Sequence, residues 1–153
     1  MIIRKATIDD LETLQNIFAD SITYVCGNDY DTRQLEVWRS GIQNKERWLD
    51  VIRNQSVLVA IIDHKIVGFC SLDNGNIDLL FVHQNYLRQG IALKLYTQIE
   101  QVSRQKGKTR LTADVSKTAK PFFERVGFKV LKEQTVNVKG IDFINYNMEK
   151  TFV

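Results

Sequence analysis

In Ile77–Leu93, IDLLFVHQNYLRQGIAL, a strand-like apolar run gives way to a polar loop, and Gly90 then opens a helical pattern. The first turn of a helix presents N–H groups without intrahelical partners and a partial positive charge, so it can hold a phosphate or pyrophosphate. Gly90 lets the backbone approach such an anion closely, Ala92 keeps the next turn uncluttered, and Arg88 adds a cation at the rim. Taken alone, Gly90 is equally readable as a plain turn residue. A second stretch follows, Thr112–Phe128, TADVSKTAKPFFERVGF: a strand, a polar bend and a short helix. Phe128 reads as core, whereas Phe122 and Phe123 fit either core packing or the lining of a cofactor slot. Neither G-x-x-x-x-G-K-[ST] nor G-x-G-x-x-G occurs, so the P-loop and dinucleotide readings lack their defining residues. Cys26 precedes Gly27 in a loop, and as a nucleophile it would need a base that only His64 or His83 could supply. Cys70 sits in an apolar run and reads as core.

The elements that must position these residues follow from periodicity. Met1 to Lys5 reads as a strand, and Thr7, Asp9 and Asp10 signal a helix with Leu11, Leu14, Ile17, Phe18 and Ile22 at helical spacing. Leu35, Trp38 and Ile42 mark a second helix, and Asn44 can cap a third that carries Trp48, Leu49 and Ile52. The period then changes. Val57–Ile62, Ile66–Leu72 and Ile77–Val82 read as an antiparallel meander, with Asp63-His64-Lys65 and Asn74-Gly75 at its turns. A helix from Gly90 to about Lys106, a strand at Arg110–Val115 and a short helix from about Thr118 to Val126 come next. Pro121 is tolerable in that helix's first turn, and Gly127 ends it. Two closing strands flank Lys139-Gly140. The expectation is one α/β (α+β) domain over residues 1–153, with a mixed, mostly antiparallel sheet flanked by helices.

The length of 153 residues, 44% hydrophobic and 25% charged, suits one globular domain and excludes a disordered chain. The start, MIIRKATIDD, has no apolar signal segment, and the longest aliphatic run, Val57–Ile62, is far too short to span a bilayer. A soluble, cytoplasmic protein is expected, with no membrane partner. The net charge of +3 hides an asymmetry: residues 1–80 hold 8 Lys/Arg against 12 Asp/Glu, and residues 81–132 hold 11 against 3. The second half therefore favours an anion. Charge alone does not choose between nucleic acid and a phosphorylated cofactor, but no nucleic-acid-binding motif accompanies it, so no nucleic-acid partner is expected. Two cysteines are too few for a disulfide scaffold or a zinc site, and no metal is expected.

Together the two stretches resemble the GNAT superfamily of N-acetyltransferases. Its cofactor motif, [QR]-x-x-G-x-[GA], is matched by Leu87-Arg88-Gln89-Gly90-Ile91-Ala92, and its later motif, A-x-x-F-[YF]-E-x-x-G-F, by Ala119–Phe128, AKPFFERVGF. The opening R-K-A-T-x-x-D is similar to the family's first strand and helix, and AKPFFERVGF looks most like the YafP-like bacterial branch.

The resemblance implies acetyl-CoA as cosubstrate and an amine acceptor. Leu80, Phe81 and Val82 would pair with the pantetheine arm, and the N–H groups of Arg88, Gln89, Gly90, Ile91 and Ala92 would cradle the pyrophosphate. Ser116, Phe122 and Phe123 would flank the thiol end, with Lys117 and Lys120 near the adenosine phosphate. Two positions depart from the family. Leu87 stands where Gln or Arg is usual, and Phe123 where many members carry a tyrosine that reprotonates the thiolate; Tyr146, Tyr86 or water would replace it. A base must deprotonate the amine. Asp78 is the implied candidate, placed by alternation on the side of Asn76 and Leu80 and needing burial to raise its pKa; a solvent-facing strand residue is the other reading. His83 is the second candidate base. Tyr30 and Trp38, with Tyr24, Asp29 and Asp31, are expected at the acceptor site, although Trp38 also fits the core. The expected activity is acetyl transfer to a primary amine by direct attack on the thioester. The alternative is a non-catalytic acyl-CoA-binding sensor or partner protein. A homodimer is an open expectation.

Overall fold

A computed structural model describes residues 1–152. Seven strands form one sheet in the order β1-β2-β3-β4-β5-β7-β6. They are β1 (Ile2–Lys5), β2 (Ser56–Ile62), β3 (Lys65–Asp73), β4 (Asn76–Val82), β5 (Arg110–Ser116), β6 (Lys129–Val138) and β7 (Ile141–Thr151). Every neighbouring pair is antiparallel except β4–β5. The hairpin turns have the chemistry the sequence implied. Asp63-His64, Asn74-Gly75 and Lys139-Gly140 all hold paired positive φ angles, which twist the flanking strands the right way.

The helices are α1 (Leu11–Val25), α2 (Thr32–Arg39), α3 (Lys45–Asn54), α4 (Ile91–Gln105) and α5 (Lys120–Arg125). The second helical segment stops earlier than its apolar spacing suggested, and Ile42 falls in a following 3₁₀ turn, Ser40–Gln43. Asp31 and Asn44 cap α2 and α3 by accepting from Gln34 N and Arg47 N. At the start of the chain, Arg4 grips Asp10 with two hydrogen bonds of 2.7 and 3.0 Å, and Asp10 also accepts from Thr7 N.

The sheet has an apolar layer on each face. On one, α4 and α5 bury Ile91, Leu95, Ile99, Phe123 and Phe128 against Leu111, Ala113, Val115 and Met148. On the other, α1 and α3 bury Leu14, Ile17, Phe18, Ile22, Trp48 and Val51 against Val57, Val59 and Phe69. Gly68 on β3 lets α4 lie close, because a Cβ there would meet Phe81 O at 3.0 Å and the Ile91 and Leu95 side chains at 3.3 Å. No helix among the described residues is long and apolar enough to cross a membrane.

Candidate active site

β4 and β5 pair only at Asn76↔Thr112 and Ile77↔Ala113. Both strands continue, to Val82 and Ser116, so their facing edges run on without bonds between them. Thr112 closes the apex of this fork, its N–H donating to Gly75 O (3.0 Å) and its hydroxyl to Asn76 Oδ1 (2.9 Å). The cleft that results has a volume of about 810 Å³, with Asp78–Val82 on one prong and Asp114–Ser116 on the other. An open strand edge of this kind is a template for an extended chain carrying amide groups.

At one end of the cleft stands the α4 N-terminus. Gly90 has φ +77° and Arg88 φ +60°, left-handed conformations that turn successive N–H groups to one side. No side chain caps the helix. Its first-turn N–H groups thus remain for a ligand, and a Cβ on Gly90 would meet nothing within 4 Å, so the approach is open. Ile91 is buried in the core and contributes its N–H alone. Leu87 and Ala92 reach the cleft wall beside Leu80, Phe81 and Val82, and Ser116, Phe122 and Phe123 line it from the β5–α5 side. Ser116 Oγ accepts from Ala119 N (3.1 Å), which fixes the bend into α5.

Asp78 does not share a face with Leu80. A β-bulge between β3 and β4 sets Ser71 opposite Leu79 and Leu72 opposite Ile77, leaving Asp78 as the extra residue. Alternation is broken there: Ile77 packs on the α4 face but Leu79 on the α1 face. Ser71 Oγ stabilises the irregularity by accepting from Leu79 N at 3.0 Å. Asp78 consequently points to α3. Arg47 donates to its two oxygens at 2.9 and 3.2 Å, and Gln55 Nε2 to one of them at 2.8 Å. The candidate base is an ion-paired carboxylate.

The second proton-handling candidate is displaced too. Tyr146 lies on the α5 face of β7, with Lys120 Nζ 4.9 Å from its ring centre, and does not line the cleft. Phe143 and Asn145 of the same strand do. Lys120 is outside the cleft as well and pairs with Glu124 at 3.8 Å. His83 accepts from Asn85 N through Nδ1 (3.1 Å) and packs on Tyr86 at the loop, so both serve the turn. Burial pushes the thiols of Cys26 and Cys70 up, which keeps them protonated.

On the α1–α2 side, Tyr30 and Trp38 do line the cleft, packed edge-to-face at 5.4 Å. The Tyr30 hydroxyl is occupied: it donates to Ile144 O (2.9 Å) and accepts from Lys117 N (3.0 Å). Burial raises its pKa further. It clamps the β5–α5 bend to β7 and offers a ligand only its ring. Phe18, Trp48, Arg47, Asp114, Lys139, Phe143 and Asn145 also line the cleft. The sequence carried no signal that they meet, since they arrive from α1, α3, β5, the β6–β7 turn and β7.

Residues 26–150 match the profile of the acetyltransferase (GNAT) domain. The chain belongs to the GNAT acetyltransferase family. The sequence expectation of an N-acetyltransferase stands with that membership. The chain is 36% identical to an uncharacterized N-acetyltransferase, YafP, from Escherichia coli, over 95% of this chain and 93% of that protein. It is 29% identical to spermidine N(1)-acetyltransferase from Thermoplasma acidophilum, over 98% and 96% of the two chains. The crystal structure of an N-acetyltransferase from Rhodopseudomonas palustris superposes with a TM-score of 0.95 at 28% identity, covering 99% and 95%. That of the PaiA N-acetyltransferase from Thermoplasma acidophilum, in complex with coenzyme A, superposes with 0.79 at 25%, covering 99% and 98%.

Proposed function

We propose that this GNAT protein transfers the acetyl group of acetyl-CoA to a primary amine. The observation that carries the reading is the β4–β5 fork opening beside an uncapped α4 N-terminus. The first suits the two amide groups of a pantetheine arm, and the second suits a pyrophosphate. Leu80–Val82 offer backbone to the arm, and the N–H groups of Arg88–Ala92 hold the phosphates. Ser116, Phe122 and Phe123 surround the thioester end. Arg88 flanks the phosphate-bearing half.

The chain's own part in the chemistry is to fix geometry. It holds the thioester carbonyl at the fork while the amine enters from the α1–α2 side, so attack becomes effectively unimolecular. A backbone N–H near Phe81 or Val82 stabilises the oxyanion that develops. The nitrogen must shed a proton before or during attack, and the thiolate leaves with a proton from water, since Phe123 has none to give. Asp78 would have to release Arg47 to act as the base.

Thermal unfolding with acetyl-CoA, coenzyme A or ATP tests the binding step. A ligand at about 100 times its Kd adds about 2.7 kcal/mol of stability. Stabilisation by acetyl-CoA and not by ATP is the expected outcome, followed by transfer to a panel of amines. No shift at millimolar acetyl-CoA overturns the reading.

A further inference from the structure

Phe18 of α1, Val37 and Trp38 of α2, Val136 of β6 and Phe143 of β7 give the acceptor side of the cleft an apolar wall. A cation entering such a chamber loses hydration and needs a counter-charge. Only two carboxylates line the cleft among the described residues, Asp78 and Asp114. Asp78 is neutralised by Arg47. Asp114 forms no ion pair with any described residue. Its Oδ1 accepts from Gln134 Nε2 (3.0 Å) and Asn147 Nδ2 (3.1 Å), two neutral groups that orient the carboxylate without cancelling its charge. Oδ2 has no donor among the described residues. The residue sits where β5 leaves β4, one position past the last paired residue, Ala113. Alternation, with Leu111, Ala113 and Val115 buried under α4, turns Asp114 and Ser116 to the opposite, acceptor-side face. The other cleft cation, Lys139, is engaged with Ser40 Oγ at 2.9 Å.

We propose that Asp114 binds the ammonium of the acceptor, and that the acceptor is a monocationic amine with an apolar body. The inference rests on the acetyl-transfer reading above and deepens it. One free carboxylate matches one positive charge; a polyamine would bring further cations with no counter-charge in an apolar chamber. Asp114 is exposed beside the apex of the fork, at the edge of the apolar chamber, so the ammonium head it holds there releases its proton to water, and the free amine then attacks. Gln134 and Asn147 act as positioning residues through the carboxylate.

The test is steady-state transfer from acetyl-CoA to hexylamine and to spermidine by the wild type, Asp114→Asn, Asp114→Glu and Asp78→Asn. Losing a charge-assisted bond corresponds to about tenfold or more in affinity. Asp114→Asn should raise the KM for hexylamine by that factor, leave the KM for acetyl-CoA unchanged and keep the acetyl-CoA thermal shift, which shows that it is folded. Asp114→Glu should recover part of the loss, and kcat/KM should favour hexylamine over spermidine. An unchanged hexylamine KM in Asp114→Asn, with a loss in Asp78→Asn instead, overturns the proposal. So does a preference for spermidine. A wild type that binds acetyl-CoA but acetylates neither amine also overturns it while sparing the cofactor reading; absence of the thermal shift sinks that reading itself.

Discussion

The two walls of the fork are built differently. The α4 side is one contiguous unit, β4, a loop and α4, and its inner residues Ile91, Leu95 and Ile99 are almost wholly buried. It presents backbone: an open strand edge and an uncapped helix end. The acceptor side draws on α1, α2, α3 and the β6–β7 hairpin, and long-range polar bonds hold it together. Tyr30 reaches Ile144, Gln34 Nε2 donates to Asp142 O at 2.8 Å, and Lys139 meets Ser40. A backbone site recognises a ligand of constant shape and tolerates side-chain change, which is how Leu87 can depart from the family motif. A wall assembled from remote side chains can be altered one contact at a time, and it is there that the proposed acceptor site would set the choice of amine.

The largest effect should come from the layer beneath α4. Leu95→Ala removes a fully buried side chain beneath α4 and should cost about 2–5 kcal/mol, read as a shifted denaturant midpoint. Gly68→Ala sharpens the comparison, since its Cβ crowds α4 against β3 without touching the acceptor wall. It should cost about 1–3 kcal/mol and weaken acetyl-CoA binding by calorimetry. Gly90→Val acts on the cofactor wall alone: a β-branched residue at φ +77° should cost about 1–2 kcal/mol and reduce acetyl-CoA affinity, with the amine KM unmoved. Tyr30→Phe does the reverse. It leaves Ile144 O and Lys117 N without their partner, for about 1–3 kcal/mol, and should disturb amine KM more than acetyl-CoA affinity.

The smallest effect lies outside both walls. The Arg4 hydrogen bonds hold Asp10 below the ordinary carboxylate range, helped by Thr7 N–H and opposed by burial. The folded value being the lower one, the pair's contribution is complete above about pH 4 and is lost as pH falls through the folded pKa. The stability gap between wild type and Arg4→Ala should therefore close on acidification, with the cofactor and amine constants of both proteins equal at neutral pH. A gap that widens in acid would contradict the pairing.

How much was legible in the sequence follows the same division. The meander, its turns and the strand–loop–helix unit are short-range, so Asn74-Gly75, Gly90 and AKPFFERVGF announced them directly. Periodicity failed where one residue was inserted. The bulge at Asp78 reversed its face, and nothing in NIDLLFV marks which residue will be the extra one. Tyr146 misled for a related reason. A strand's two faces are equivalent until its neighbours are known, and β7 turns Phe143 and Asn145 into the cleft and Tyr146 away from it.

By itself, then, the sequence determined the elements, the hairpin turns and the glycine-led start of α4, because each depends on φ preferences and hydrogen-bond donors a few residues apart. Only the tertiary structure decided that β4 and β5 part after two pairs, that Arg47, 31 residues away, occupies Asp78, and that Asp114 at the fork has no ion-pair partner among the described residues. Those outcomes hinge on which remote side chains reach a given carboxylate, and no local pattern encodes that meeting.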